Sequence, residues 1–272
     1  MVSSRLPKPE FGQISALTAL VLLTYGLIRM IVLPAIDIEF PLFGLLIQIE
    51  FKTQSIMLLL AGALTASGAD WLVRHHPYYK PGQSTFETSI LPALAAIAIG
   101  GIIIRVPEGA QLWIAHVIGA LVLVLIVWAE FIVSFPRDPR ARFVGIALNG
   151  LAFLLMTSVL LAIAEIGIRA IFAIPLIGGV SFAVIWRLLR LASPRKRVWP
   201  WALLISVAVA QIATGLHYWP ISPLRTSLLL AFTLYSSYTL MLHHLAEKRS
   251  NTLLFENLFI GGLSIFILAN IG

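Results

Sequence analysis

Residues 111–133 read QLWIAHVIGALVLVLIVWAEFIV, an apolar run in which Glu130 is the one Asp, Glu, Lys or Arg. Crossing the hydrocarbon core of a bilayer takes about 20 apolar residues in a helix. A helix on the surface of a soluble protein shows a polar face every 3.6 residues, and this run has none. It is a membrane span, and the rest of the chain follows from it. Reading outward, eight further segments qualify, and the nine are placed at 14–35, 54–73, 86–106, 111–133, 143–164, 170–191, 198–216, 223–245 and 253–271. The breaks carry proline, glycine and charge, as in HHPYYKPGQ, RVPEG, PRDPRAR and SPRKRVWP, which are turn signals. The expected architecture is an all-α integral membrane protein, one polytopic domain over residues 1–272, with no loop long enough for a soluble domain.

Composition agrees. The chain is 59% hydrophobic and 11% charged with mean hydropathy +0.95, whereas soluble domains are about one quarter charged. The absence of cysteine removes thiolate nucleophiles, Cys-ligated zinc and iron–sulfur clusters. No cleaved signal is expected, because the first apolar run is longer than a signal h-region and no small-residue cleavage site closes it.

Orientation is read from lysine and arginine, which are retained on the cytoplasmic side. Of the 19 such residues, fourteen fall on one side of a nine-span layout: Arg5, Lys8, Arg74, Lys80, Arg137, Arg140, Arg142, Arg187, Arg190, Arg195, Lys196, Arg197, Lys248 and Arg249. Four fall on the other, Lys52, Arg105, Arg169 and Arg225, and Arg29 lies within the first span. The amino terminus is therefore expected inside and the carboxyl terminus outside. The net charge of +7 is then the positive-inside signature plus attraction to anionic headgroups, and no nucleic-acid partner is expected.

The first outer loop reads IDIEFPLFGLLIQIEFKT over residues 36–53. Ile36, Asp37, Ile38, Glu39 and Phe40, and again Ile47, Gln48, Ile49, Glu50 and Phe51, alternate apolar and polar, the period of a half-buried strand. A small β-hairpin is one reading; a short amphipathic re-entrant segment is the other. IGGI at 99–102, IGGV at 177–180 and IGGL at 260–263 recur in the third, sixth and ninth spans. Glycine lets membrane helices approach closely, so packing accounts for them without a true repeat. The same holds for a small-residue stripe of Ala61, Thr65 and Ala69 in the second span.

Ionisable side chains within spans are the default functional candidates, and here they sort into two tiers with few at mid-membrane. In the inner tier Asp70 and Arg74 lie four residues apart and can pair on one helix face, while Glu130 lies deeper and Glu256 carries the same ambiguity between a proton-carrying and a structural role. In the outer tier His217, Tyr218 and Trp219 crowd the end of the seventh span and Arg225 follows, with Arg29 at the same depth. Glu165 and Arg169 suggest a second i, i+4 pair. An aromatic belt and rigid turn explain the corner; alternatively His217 and Arg225 bind an anionic group while Trp219 packs. Six histidines invite a haem reading, but the paired spacing that two stacked haems would require is absent. No cofactor or metal is expected, and no GxSxG, HExxH, GxxxxGK[ST] or strand-borne GxGxxG is present.

The strings GADWLVRHHP, AEFIV and LHYWPISPLR resemble those of an uncharacterised family of bacterial, Chloroflexi-type polytopic membrane proteins. The resemblance implies a bacterial inner membrane and no particular activity, cofactor or partner. The expected function is a non-enzymatic binding or assembly component, with basic loops on anionic lipid and the hairpin and HYWP corner as surfaces for a membrane-protein partner. A small-solute or ion transporter using Asp70, Glu130 or Glu256 is the main alternative, and a membrane-embedded lipid-modifying enzyme the third.

Because the chain lacks cysteine, single engineered thiols report topology cleanly. In intact cells Ser84→Cys and Ser250→Cys are expected to resist an impermeant maleimide and Gln48→Cys to react with it. The reverse pattern refutes the orientation.

Overall fold

The computed structural model describes residues 11–31, 36–42, 45–51, 53–76, 79, 82, 85–135, 138–194, 196–246 and 261–262. Among these, eight helices are present: α1 (Phe11–Met30), α2 (Thr53–Arg74), α3 (Phe86–Arg105), α4 (Ala110–Val133), α5 (Ala141–Ile166), α6 (Ala170–Ala192), α7 (Trp199–His217) and α8 (Pro223–Ala246). The second to eighth begin and end within two residues of the expected spans. The first ends at Met30 rather than near Ala35; residues 32–35 lie outside the described ones. The ninth expected span lies outside the described residues except for Gly261 and Gly262.

Six of these helices, α2 to α7, are long and apolar enough to cross a membrane. In α1 the apolar stretch is Gly12–Ile28; α8 has the length, but its serine, threonine, tyrosine and histidine residues dilute its hydropathy. Between α1 and α2, β1 (Ile36–Leu42) pairs antiparallel with β2 (Leu45–Phe51), Ile36 opposite Phe51 and Leu42 opposite Leu45.

The chain forms two compact units, Met1–Val144 and Gly145–Gly272. In the first, α3 is central: it packs on α1, α2 and α4, and 61% of its apolar window is buried against 22% for α4. The small-residue stripe of α2 is buried at Ala61, Thr65 and Ala69. Neighbouring side chains come so close that a Cβ on Gly62 would meet Ile97 at 2.9 Å and one on Gly68 would meet the Leu17 side chain. Tyr25, itself buried, donates a hydrogen bond to the carbonyl of Ala96 at 2.6 Å. In the second unit α6 packs on α7 and α8, and α7 on α8. Phe153 of α5 meets Tyr235 and Tyr238 of α8 at centroid distances of 5.3 and 5.6 Å.

The exposed faces are apolar. On α4, Trp113, Ile114, Val117, Ile118, Leu121 and Leu125 are exposed, whereas Gly119, Leu123, Ile126 and Glu130 face inward. In water such a stripe would forgo about 1.5 to 3 kcal/mol per large side chain. Outward hydrocarbon over an interior holding glycine, threonine and an acid is the arrangement of a helical membrane protein.

At Gly100 an added Cβ would meet Leu58 at 2.5 Å and Tyr25 at 2.8 Å, while among the described residues nothing lies within 4 Å of one on Gly101. Gly100→Ala is expected to lower stability in detergent by about 1 to 3 kcal/mol, and Gly101→Ala to raise it by up to about 1 kcal/mol through helix propensity. Thermal unfolding of the two variants side by side measures the difference.

Candidate functional site

The densest polar cluster in the first unit lies where α2 ends, α3 begins and α4 gives way to α5. Asp70, in the last turns of α2, pairs with Arg74 one turn on, Nε to Oδ2 at 2.7 Å. Its other oxygen accepts a hydrogen bond from the Thr85 hydroxyl. Thr85 immediately precedes α3 but does not cap it through its side chain; Thr88 instead bonds the Thr85 carbonyl at 2.6 Å. One carboxylate thus fastens the end of α2 to the start of α3. The ion pair itself adds little, since the Arg74 side chain is 55% exposed and such pairs contribute about 0 to 1 kcal/mol.

Beyond Arg74 the chain turns inward. His75 is held by Nδ1 on the Trp71 carbonyl at 2.8 Å, and the His76 ring is buried, 4% exposed. It stacks on Phe135 at 3.7 Å with planes 13° apart and meets Phe131 at 4.4 Å. Phe131 belongs with Ile14, Leu72 and Val127 to a small apolar core, so His76 plugs the end of that core. Burial pushes its pKa down to about 4, against the opposing pull of Asp138.

Asp138 occupies the loop between α4 and α5, just before Pro139. Its carboxylate accepts from the Arg140 backbone N–H at 2.9 Å, from Nε at 3.0 Å and from Nη2 at 2.7 Å. This is the side-chain-to-backbone turn that aspartate favours, reinforced by a charge-assisted fork. The Arg140 hydrogen bonds hold the Asp138 carboxyl below the usual carboxylate range although burial acts the other way, and the same contact strengthens the Arg140 cation.

Of the residues singled out from sequence, Asp70 and Arg74 lie in this cluster, and Glu130 is fully buried on α4, five residues before Phe135. Glu256 and the side chain of Arg29 lie outside the described residues. In the second unit His217 ends α7 and stands edge-on to Tyr218 at 5.3 Å. Tyr218 and Trp219 are 76% and 64% exposed. Arg225 lies in the first turn of α8, its Nε buried and without a hydrogen-bond partner among the described residues. Glu165 and Arg169 do not share a helix: α5 stops at Ile166, Gly167 takes φ 64°, and Arg169 precedes α6. The i, i+4 relation expected for them therefore does not apply.

Sequence reading missed His76, Thr85, Phe135, Asp138 and Arg140. Asp138 had a signal, an acid between two prolines in PRDPR, which is turn chemistry; it was read only as part of a basic loop. His76 had none, because nothing local distinguishes a buried histidine from an interfacial one. Among the described residues no group of three or more His, Asp or Glu could hold a metal ion.

A family model matches residues 33–271. The chain belongs to that family, described as a protein of unknown function (DUF5656). Neither a curated protein nor a solved structure matches it. The whole cluster from Asp70 to Arg140 falls within the matched residues, whereas α1 precedes them.

His76 makes stability depend on pH in a definite direction. Its folded pKa of about 4 lies below the ordinary 6.5, so the unfolded chain binds the extra proton and stability falls as pH drops through that window. The slope is at most about 1.4 kcal/mol per pH unit. Loss of the Asp138 contact adds in the same direction but below the usual carboxylate range. Unfolding midpoints between pH 7 and 4.5 are expected to fall for the native chain and to flatten in His76→Gln. An unchanged slope in that variant removes His76 as the cause.

Proposed function

We propose that the chain is a non-enzymatic binding or assembly component of a bacterial plasma membrane, crossing it nine times with the amino terminus inside. The alternation of basic and non-basic loops supports this layout, with residues 253–271 as the ninth crossing and the β1–β2 ribbon on the outer surface. The bacterial setting rests on the resemblance of the GADWLVRHHP, AEFIV and LHYWPISPLR strings. Basic loops rest on anionic headgroups at the inner face, and the exposed Tyr218 and Trp219 beside His217 and Arg225 form a recognition corner for another membrane protein.

The observation that carries this reading is how the candidate site spends its charges. Asp70 is engaged by Arg74 and Thr85, and Asp138 by Arg140. These are neutralised pairs that fasten helix ends, a structural use of charge. A carrier places ionisable ligands near the bilayer midplane, often at broken helices.

One observation favours a second reading, ion or solute transport: Glu130 is completely buried, and a buried carboxyl can hold a proton. Glu130→Gln keeps its shape and removes its charge. In proteoliposomes the native chain and this variant are expected to behave alike, with no proton- or cation-driven flux above empty vesicles. Flux through the native chain that disappears in a folded Glu130→Gln protein establishes transport and overturns the assembly reading.

A further inference from the structure

In the second unit the polar residues of α8 gather over 233–239, which read TLYSSYT. Two hydroxyls there are satisfied within the helix: Thr233 bonds the Leu229 carbonyl at 2.8 Å and Thr239 the Ser236 carbonyl at 3.0 Å. A tyrosine hydroxyl stands at the far end of its ring and cannot turn back in this way, so when buried it takes a partner from elsewhere. Tyr238 is buried, 4% exposed, and its hydroxyl has no hydrogen-bond partner among the described residues. Opposite it on α5, Asn149 and Phe153 lie one turn apart and share a helix face. The Phe153 ring meets Tyr235 at 5.3 Å and Tyr238 at 5.6 Å. The Asn149 side chain comes within reach of the Tyr238 hydroxyl. Its Oδ1 is buried and likewise has no hydrogen-bond partner of acceptable geometry among the described residues.

Depth makes these two atoms informative. Asn149 lies eight residues from the start of α5 at Ala141, and Tyr238 eight residues from the end of α8 at Ala246. At 1.5 Å per residue each is about 12 Å from its helix end. Hydrocarbon supplies no solvent to satisfy a polar group at that depth, and an orphaned one is costly. The Phe153 ring, one turn along α5 and against both tyrosines, holds the two helices apart, so Asn149 and Tyr238 do not close on each other. One small group satisfies both, provided it donates to the amide oxygen and accepts from the phenol. A hydroxyl does each. A carboxylate or phosphate only accepts and an ammonium only donates, and any of them would bring a charge into the hydrocarbon.

We propose that Asn149 and Tyr238 form an intramembrane binding site for a single hydroxyl group, which donates to Asn149 Oδ1 and accepts from the Tyr238 hydroxyl, with Phe153 and Tyr235 as its aromatic wall. The bound hydroxyl bridges α5 to α8. It belongs either to a water molecule or to an uncharged membrane alcohol whose apolar body lies in lipid. This site goes beyond the assembly reading and does not rest on it, because it needs no ion, no partner protein and no particular orientation of the termini.

The test uses the full chain in detergent micelles containing dioleoylglycerol, so that both sources of hydroxyl are present. Tyr238→Phe removes the phenol oxygen and keeps the ring, and Asn149→Leu keeps the shape of the amide. Each is expected to lower the thermal unfolding midpoint by at least about 2 °C, since each leaves the other group unbonded. The double variant is expected to lose no more than the larger single loss, because both changes break one shared bridge. A midpoint that rises or stays in Tyr238→Phe, or losses that add, overturns the site. Two measurements then name the source. In infrared spectra, an O–H stretching band that is absent from Tyr238→Phe and moves in heavy-oxygen water assigns the hydroxyl to water. A native midpoint that rises with dioleoylglycerol but not with triolein, which has no hydroxyl, and does not rise in Tyr238→Phe, assigns it to a membrane alcohol. Either result supports the site. Coupled losses accompanied by neither signal mean that Asn149 and Tyr238 bond each other directly, which overturns it.

Discussion

A bilayer offers no hydrogen bonds, and nearly everything in this structure answers to that constraint. Hydroxyls within the helices bond the carbonyl one turn back: Thr24 to Leu20, Thr65 to Ala61, Thr157 to Phe153, Thr214 to Ala210 and Thr233 to Leu229, all between 2.7 and 2.9 Å. Each such bond lets a polar side chain sit in apolar surroundings without a neighbour from another helix. Inter-helix contact is thereby left to shape. Small residues on α2 admit Leu17 and Ile97, and the exposed faces are dominated by isoleucine, leucine, valine, phenylalanine and tryptophan, which hydrocarbon takes without a desolvation cost.

Charge is then expelled to helix ends, where it acquires a fastening role. Asp70 and Asp138 both lie at such ends, both accept from an arginine and from one further group of the chain, Thr85 in one case and the Arg140 backbone in the other. The loop between α2 and α3 and the loop between α4 and α5 are closed by the same chemistry. His76, placed between them and neutral at ordinary pH, lets aromatic packing continue from Phe131 to Phe135 without a buried charge that would cost several kcal/mol. The cluster reads as the knot that fixes four helix ends, and catalytic use would require one of its carboxylates to be released from its arginine.

Helix positions were legible in the sequence because hydropathy is the physical quantity that the bilayer selects, and α2 to α8 begin and end almost where their flanking proline, glycine and charge place them. Less legible was anything that depends on which side a helix turns. The pairing of Asp70 with Arg74 follows from spacing alone and is present. The i, i+4 relation of Glu165 and Arg169 follows from the same spacing but does not hold, because α5 ends at Ile166 and Gly167 turns the chain between them. The engagement of Asp70 by Thr85, fifteen residues away, has no local signature, nor has the burial of His76 against a helix more than fifty residues on.

The recurring IGG motifs show how a packing role can imitate a repeat. In each, a Cβ added to the first glycine would meet a neighbouring side chain: Leu58 and Tyr25 at Gly100, Ala210 at 3.5 Å at Gly178, and Phe232 at 3.1 Å at Gly261. In each, a Cβ added to the second, Gly101, Gly179 or Gly262, would meet nothing within 4 Å among the described residues. The three neighbours are a leucine with a tyrosine, an alanine and a phenylalanine, and their clearances differ by up to about 1 Å. Close approach demands a small residue at one position per motif, and a second glycine beside it is tolerated where the helix surface is open. The motif is therefore explained at the level of helix packing, and the case for function has to be made from the polar groups.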